Sequence, residues 1–285
     1  MGELCQRMTE DLKLKNYAPA TRAEYLRCAR RFAAYHMRSP AEMGEQEIRD
    51  FLLGLAFGQA SVETLKMHVA ALKFLYGTTL RRPEEIVALP WPKVPHRLPD
   101  ILSGTEVDAL LGAVEPLLHR AVVMTAYGSG LRIREACSLR ADDVDSKRKL
   151  IHVRDGKRAR DRYVPLPDRL RDFLREYWRQ VRPSGPFLFP GQKPGRSITP
   201  RPVRNALAKG IRKAGIKKHV TLHTLRHSFA THLLEGGTDI RVIQALLGHA
   251  SIRSTLRYTQ VSQKHVGRIT TPLDILGTAK ARILG

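Results

Sequence analysis

Four of the ten residues from Pro90 to Pro99 are proline: Pro90, Pro92, Pro95 and Pro99. Each has a ring-locked φ and lacks a backbone N–H, so no helix can run through this stretch, and an extended linker is expected. The chain of 285 residues is therefore expected to fold as two units, a domain over 1–90 and a domain over 100–285, joined by a linker at 91–99. The charge changes at the same place. Residues 1–92 hold 13 basic and 11 acidic residues, whereas 93–285 hold 36 and 16. Almost all of the net charge of +22 thus belongs to the second part. A folded domain with that excess is suited to a polyanion, and nucleic acid is the commonest one.

Other classes are less compatible with the chain. Cys5, Cys28 and Cys137 lie far apart and match no metal-ligand spacing, as in a reduced cytoplasmic protein. Glu3, Glu10 and Asp11 interrupt any apolar leader. No run approaches the ~18 apolar residues that a membrane span requires. A soluble, cytoplasmic protein is expected.

The first 90 residues read as a helical bundle. Thr21 to His36 places Tyr25, Ala29, Phe32 and Ala33 on one face, with Arg22, Arg27, Arg30, Arg31 and Arg38 around the rest. Glu47 to Leu55 and Val62 to Tyr76 are two more helices. In the latter, Leu65, Val69, Leu72 and Leu75 form the apolar stripe, and Lys66, His68 and Lys73 are read as lying off it. Arg22, Arg30, Lys66 and Lys73 are candidates for phosphate contact, although any solvated helix face carries such residues.

After the linker, Ser103 and Glu106 form a capping box. Helices are expected at about Glu106 to Val114 and Leu117 to Tyr127. Gly128-Ser129-Gly130 breaks the second of these, and Arg132 stands where the next begins, with Glu135 one turn on to pair with it. Lys149 to Val153 and Arg162 to Leu166 are rich in β-branched residues and read as paired strands. The turn between them carries Lys157, Arg158 and Arg160. Helix resumes from Asp168 to Val181, Gly191 to Pro202 reads as a loop, and Val203 to Ala214 is a basic helix with Arg204 and Lys209 exposed as further candidates for DNA contact. The expected fold class is mainly α with a small antiparallel sheet in the second domain.

The stretch from His223 to Tyr258 carries most of the candidate chemistry. Leu222, Leu225, Phe229, Ala230 and Leu233 recur at helical spacing, with Thr221 as N-cap. His223, Arg226 and His227 then share a face. A second helix runs from Asp239 to Leu247 with Ile240, Ile243, Leu246 and Leu247 inward. Gly248 stops it, and His249 follows. Ser251 can cap a third helix bearing Tyr258. Taken singly, each of these residues has an ordinary structural reading. The spacing of His223 and His227 would suit zinc, but Thr224 stands where a zinc hydrolase carries its glutamate, and Arg226 would repel the cation, so no metal is expected.

In order and local context, Arg132, Lys157, His223, Arg226, His249 and Tyr258 resemble the catalytic set of the tyrosine recombinase (phage integrase) family, in its compact two-domain Xer-like form. Gly130-Leu131-Arg132-Ile133-Arg134-Glu135 resembles the first-arginine motif. Gly156-Lys157 ahead of Tyr163-Val164-Pro165-Leu166 resembles the lysine hairpin. His223-Thr224-Leu225-Arg226 resembles the His-x-x-Arg box, and Leu247-Gly248-His249 the third box, with Tyr258 nine residues on. The resemblance implies an N-terminal helical domain that binds core DNA and an α+β catalytic domain. It implies cleavage and rejoining of duplex DNA through a 3′-phosphotyrosine, without metal, ATP or other cofactor. Arg132 and Arg226 would hold the phosphate, His223 and His249 would assist, Lys157 would protonate the leaving oxygen, and Glu135 would orient Arg132. It further implies a homotetramer on DNA, with the segment after Tyr258 passed to a neighbour. Two other readings remain open: a DNA-binding accessory protein that has lost cleavage, and a topoisomerase-like relaxing enzyme on the same scaffold.

Overall fold

A computed structural model describes residues 2–92, 100–154, 161–248 and 255. The chain divides into two compact units, Met1–Arg97 and Leu98–Gly285. Most of the proline-rich stretch, from 93 to 99, lies outside the described residues.

In the first unit, α1 (Gly2–Leu14), α2 (Pro19–His36), α3 (Glu45–Phe57) and α4 (Val62–Phe74) form a bundle, and a π-helical turn at Leu75–Leu80 continues α4. Pro19 is accommodated because the first helical turn needs no N–H at that position. Ser61 accepts a bond from the Thr64 amide and caps α4. Met8, Leu12, Phe32, Ile48, Phe51, Leu72, Leu75 and Tyr76 form the core. Tyr76 is fully buried, and its hydroxyl donates to the Pro40 carbonyl at 2.9 Å, which satisfies the polar group that burial would otherwise penalise.

His68 differs from the sequence expectation. It does not lie off the apolar stripe of α4 but is buried with it, because it stands three residues after Leu65 and four before Leu72. Its Nδ1 lies 2.9 Å from the Thr64 carbonyl, and its ring packs on Phe51. Burial pushes its pKa below the ordinary value, so the neutral imidazole is favoured.

The second unit packs helices around a small antiparallel sheet. In chain order these are α5 (Gly104–Ala113), α6 (Leu117–Gly128), α7 (Ile133–Cys137), β1 (Val144–Asp145), β2 (Leu150–Val153), β3 (Arg162–Pro165), α8 (Asp168–Val181), α9 (Pro200–Lys213), α10 (Leu222–Glu235) and α11 (Ile240–Leu247). Strand order is β1-β2-β3, and Ile151 lies opposite Val164. β1 is too short to give an alternating signal, and the sequence reading missed it. α9 begins at Pro200, inside the expected loop, again with proline in the first turn.

The core includes Val122, Val123, Leu131, Ile151, Val164, Tyr177, Phe189 and Leu225. The predominantly α architecture with one small sheet agrees with the expected class. α6 is buried on most sides, and α10 packs beside it. A chain of polar contacts locks that pair: Tyr127 Oη lies 2.9 Å from His232 Nδ1, and His232 Nε2 lies 2.9 Å from the Leu102 carbonyl. α10 and α11 meet over Phe229, Ala230, Leu234, Ile243 and Leu247. These contacts set the position of the helix that carries His223 and Arg226. No helix among the described residues is long and apolar enough to cross a membrane.

Candidate active site

The site forms where three chain breaks meet: the turn before α7, the start of α10 and the end of α11. Gly130 has φ +63°, and a Cβ there would lie 2.4 Å from Phe229 Cε1, so only glycine lets the backbone pass this close to α10. The turn places Arg132 at the N-cap of α7. Thr221 caps α10 as expected, accepting from the Thr224 amide. Gly248 ends α11 with φ +59°.

Arg226 projects from α10 into the protein and is 3% exposed. Its Nη1 donates to the Gly130 carbonyl at 2.7 Å, and its Nη2 donates to the Leu247 carbonyl. The guanidinium therefore ties the turn before α7 to the end of α11. His223 and His227 lie one helical turn apart, with ring centroids 6.3 Å from each other. His223 is exposed and His227 half-buried. The face the sequence reading assigned to all three residues is thus shared only at its base, because Arg226 turns inward.

Glu135 is the electrostatic centre. Its carboxylate accepts from Arg132 Nη1 at 2.8 Å and from the Arg132 amide at 2.8 Å. It also accepts two bonds from Arg162, Nη1 at 3.1 Å and Nη2 at 2.8 Å, and lies 3.8 Å from Arg226 Nη1. Burial alone would push this carboxyl up. The bonds and charge of Arg162, followed by those of Arg132, outweigh it and hold the pKa at about 2. One carboxylate thus organises three guanidinium groups in partly dry surroundings, where such pairing counts most.

Arg132 is the more open of the two expected phosphate-holding arginines; its side chain is 27% exposed. Arg132, Arg134, Arg204, Thr221, Leu222 and His223 line a recess of about 480 Å³. An anion entering it meets three guanidinium groups and an imidazole. Arg204, expected on the DNA-facing surface, lies on this rim. Lys209 is exposed farther along α9. In the first unit, Arg30 is exposed, Arg22 and Lys66 are half-buried, and Lys73 Nζ lies 5.9 Å over the Trp91 ring. Lys157, Arg158, Arg160, His249 and Tyr258 lie outside the described residues.

Arg162 was not singled out in the sequence. Two features mark it: it stands two residues before the buried Val164, on the same inward face of the strand, and an inward charge on a strand requires a buried partner.

The depressed Glu135 pKa makes a stability prediction. The folded value of about 2 lies below the ordinary 4.5, so the carboxylate stabilises the fold above pH 4.5 and loses that contribution as pH falls towards 2. The lost term is on the order of 3 kcal/mol. Glu135→Gln should show a shallower fall in urea midpoint between pH 5 and 3 than the parent chain; parallel pH curves would contradict the pairing.

Comparison with known proteins identifies the family. Residues 100–265 match the phage integrase family, and residues 4–86 match the phage integrase N-terminal SAM-like domain. The chain is 41% identical over 280 residues to y4qK of Sinorhizobium fredii (strain NBRC 101917 / NGR234), covering 97% of this chain and 90% of that one. It is 37% identical over 269 residues to tyrosine recombinase XerA of Thermococcus kodakarensis, covering 93% of each. Among solved structures, an XerA recombinase is 27% identical with a TM-score of 0.51, covering 99% of this chain and 98% of that one. A lambda integrase dimer bound to a COC′ core site shares the fold with a TM-score of 0.74 at 16% identity, covering 95% and 98%. The motifs, the fold and relatives matched over nearly their whole length agree: the chain belongs to the phage integrase family of tyrosine recombinases and is a site-specific recombinase.

Proposed function

We propose that the protein binds duplex DNA and cuts and rejoins it through Tyr258. The observation that carries this reading is the joining of Arg132 and Arg226 through Glu135, with Arg132 opening onto the same recess as His223. The Tyr258 oxygen attacks the scissile phosphorus, the P–O5′ bond breaks, and a 3′-phosphotyrosine and a free 5′-hydroxyl result. The new ester keeps the energy of the old one, so rejoining by a 5′-hydroxyl needs no external supply.

A phenol with its ordinary pKa near ~10 needs a proton acceptor at neutral pH. His223, exposed at the recess, takes that role. The phosphate gains negative charge as it passes through five-coordination. Arg132 and Arg226 supply fixed donors to its non-bridging oxygens, held ready by Glu135 and by the Gly130 and Leu247 carbonyls. His249 adds a donor. Lys157 gives its proton to the departing 5′-oxygen.

Residues 1–90 serve as the core-DNA-binding domain, 100–285 as the catalytic domain and 91–99 as the linker between them. Arg22, Arg30, Lys66, Lys73, Arg158, Arg160, Arg204 and Lys209 contact phosphates, which makes affinity strongly salt-dependent. Strand exchange between two duplexes needs four nucleophiles, so the working form is a homotetramer assembled on DNA, in the cytoplasm.

Supercoiled plasmid separates recombination from simple relaxation. A plasmid carrying two target sites should yield recombinant circles, while a plasmid without a site should stay supercoiled. Efficient relaxation of the siteless plasmid would contradict the recombinase assignment in favour of the topoisomerase-like one.

A further inference from the structure

Arg162 belongs to none of the six expected catalytic positions, yet each nitrogen of its guanidinium group donates a hydrogen bond within the cluster. Its side chain is 11% exposed. Nη1 and Nη2 donate to the two Glu135 oxygens at 3.1 and 2.8 Å, and Nε donates to the Leu246 carbonyl at 2.8 Å. A Cβ on Gly248 would press against Arg162 Cδ, Nη1 and Cζ at 3.3–3.4 Å, so the turn ending α11 is moulded onto this side chain. One guanidinium thus joins three segments: β3, which follows the Lys157 segment in sequence; α7, which holds Arg132; and the end of α11, which leads to His249.

The charges explain what this joining does. Glu135 faces three guanidinium groups, and the four side chains together carry a net +2. Without Arg162 the net falls to +1. Glu135 would also lose both Arg162 donors, leaving its charge to Arg132 and Arg226. Arg226 Nη1, now 3.8 Å from Glu135 Oε2, would be drawn onto the carboxylate. An arginine pulled onto a carboxylate is turned from an incoming phosphate, and the field the phosphate meets is weaker as well.

We propose that Arg162 is a positioning residue for strand cleavage: it neutralises Glu135 and fixes the end of α11, so that Arg132 and Arg226 keep their charge and aim for the phosphate. Arg162 itself contacts no DNA. This rests on the cleavage reading above and adds a residue to it.

The test is single-turnover cleavage of a nicked suicide duplex carrying the target site, at saturating enzyme, with binding followed separately by gel shift. Arg162→Gln should cut at least thirtyfold more slowly than the parent, with its DNA Kd changed less than threefold. The Glu135→Gln/Arg162→Gln pair removes the unneutralised carboxylate as well as its partner. It should cut at least threefold faster than Arg162→Gln alone, a recovery that a purely structural role for Arg162 does not produce. Should Arg162→Gln fail to fold, Arg162→Lys replaces it: lysine keeps the charge but cannot bond both Glu135 oxygens and the Leu246 carbonyl together, so cleavage should fall threefold or more. A loss smaller than threefold in the folded single variant overturns the proposal. So does a double variant that recovers less than threefold. If the parent chain forms no covalent adduct on this substrate, the cleavage reading itself fails and the Arg162 role falls with it; an adduct in the parent with unaffected Arg162 variants removes the Arg162 role alone.

Discussion

Arg226→Ala should slow strand cleavage by at least a thousandfold, ~4 kcal/mol of transition-state stabilisation. Phosphoryl transfer concentrates negative charge on the non-bridging oxygens, and a fixed bidentate donor is worth most as that charge develops. The structure adds a second effect that the sequence did not suggest. Arg226 is buried, and it bonds the Gly130 and Leu247 carbonyls. Alanine removes both donors and leaves a void, so thermal stability should fall together with activity. Arg226→Lys separates the two effects. It keeps a cation and most of the volume but cannot hold both carbonyls, so its melting temperature should stay closer to the parent while cleavage falls at least tenfold. Single-turnover rates beside melting curves provide the check. A folded Arg226→Lys or Arg226→Ala variant that loses less than tenfold, ~1.4 kcal/mol, would remove Arg226 from the transition state.

Tyr258→Phe should bind the target duplex as tightly as the parent and form no covalent complex. The substitution removes one oxygen and leaves every phosphate-contacting cation in place, so affinity, which rests on counterion release, is untouched. The reaction loses its nucleophile, so no phosphotyrosine bond forms. Gel shift with denaturing electrophoresis of the same samples measures both quantities. A denaturation-resistant adduct in the phenylalanine variant would assign the nucleophile elsewhere.

The legible parts of the chain were those where local chemistry acts alone. Proline at 90, 92, 95 and 99 marks the place near which the two compact units divide. Leu222, Leu225 and Phe229 recur at helical spacing, and the Thr221 cap and Gly248 stop follow from backbone chemistry at single residues. Pairing of Glu135 with Arg132 is a one-turn relation and was readable for that reason.

What escaped depends on contacts between distant segments. His68 was misplaced because an imidazole is polar by type, whereas its spacing from Leu65 and Leu72 puts it inside. Arg226 was assigned to a face, but the carbonyls that draw it inward come from residues 130 and 247. Arg162 meets Glu135 from 27 positions away, a pairing that no local pattern encodes. Its sequence signal was a charge on the same face of β3 as buried Val164, which demands a buried partner. Carboxylate and guanidinium groups find such partners through the tertiary fold, so their roles become readable only after the strands and helices have been placed.

On the proposed mechanism, protein cations alone drive attack by one phenol on DNA. The most direct measurement forms the adduct between the parent chain and a nicked suicide duplex in excess chelator, digests the protein and identifies the peptide that carries the nucleotide. The predicted result is a single adduct on Tyr258, joined to the 3′-phosphate and formed at the same rate with or without added magnesium. An adduct on another residue, a linkage to a 5′-phosphate, or an adduct that forms only when a divalent metal is supplied would contradict it.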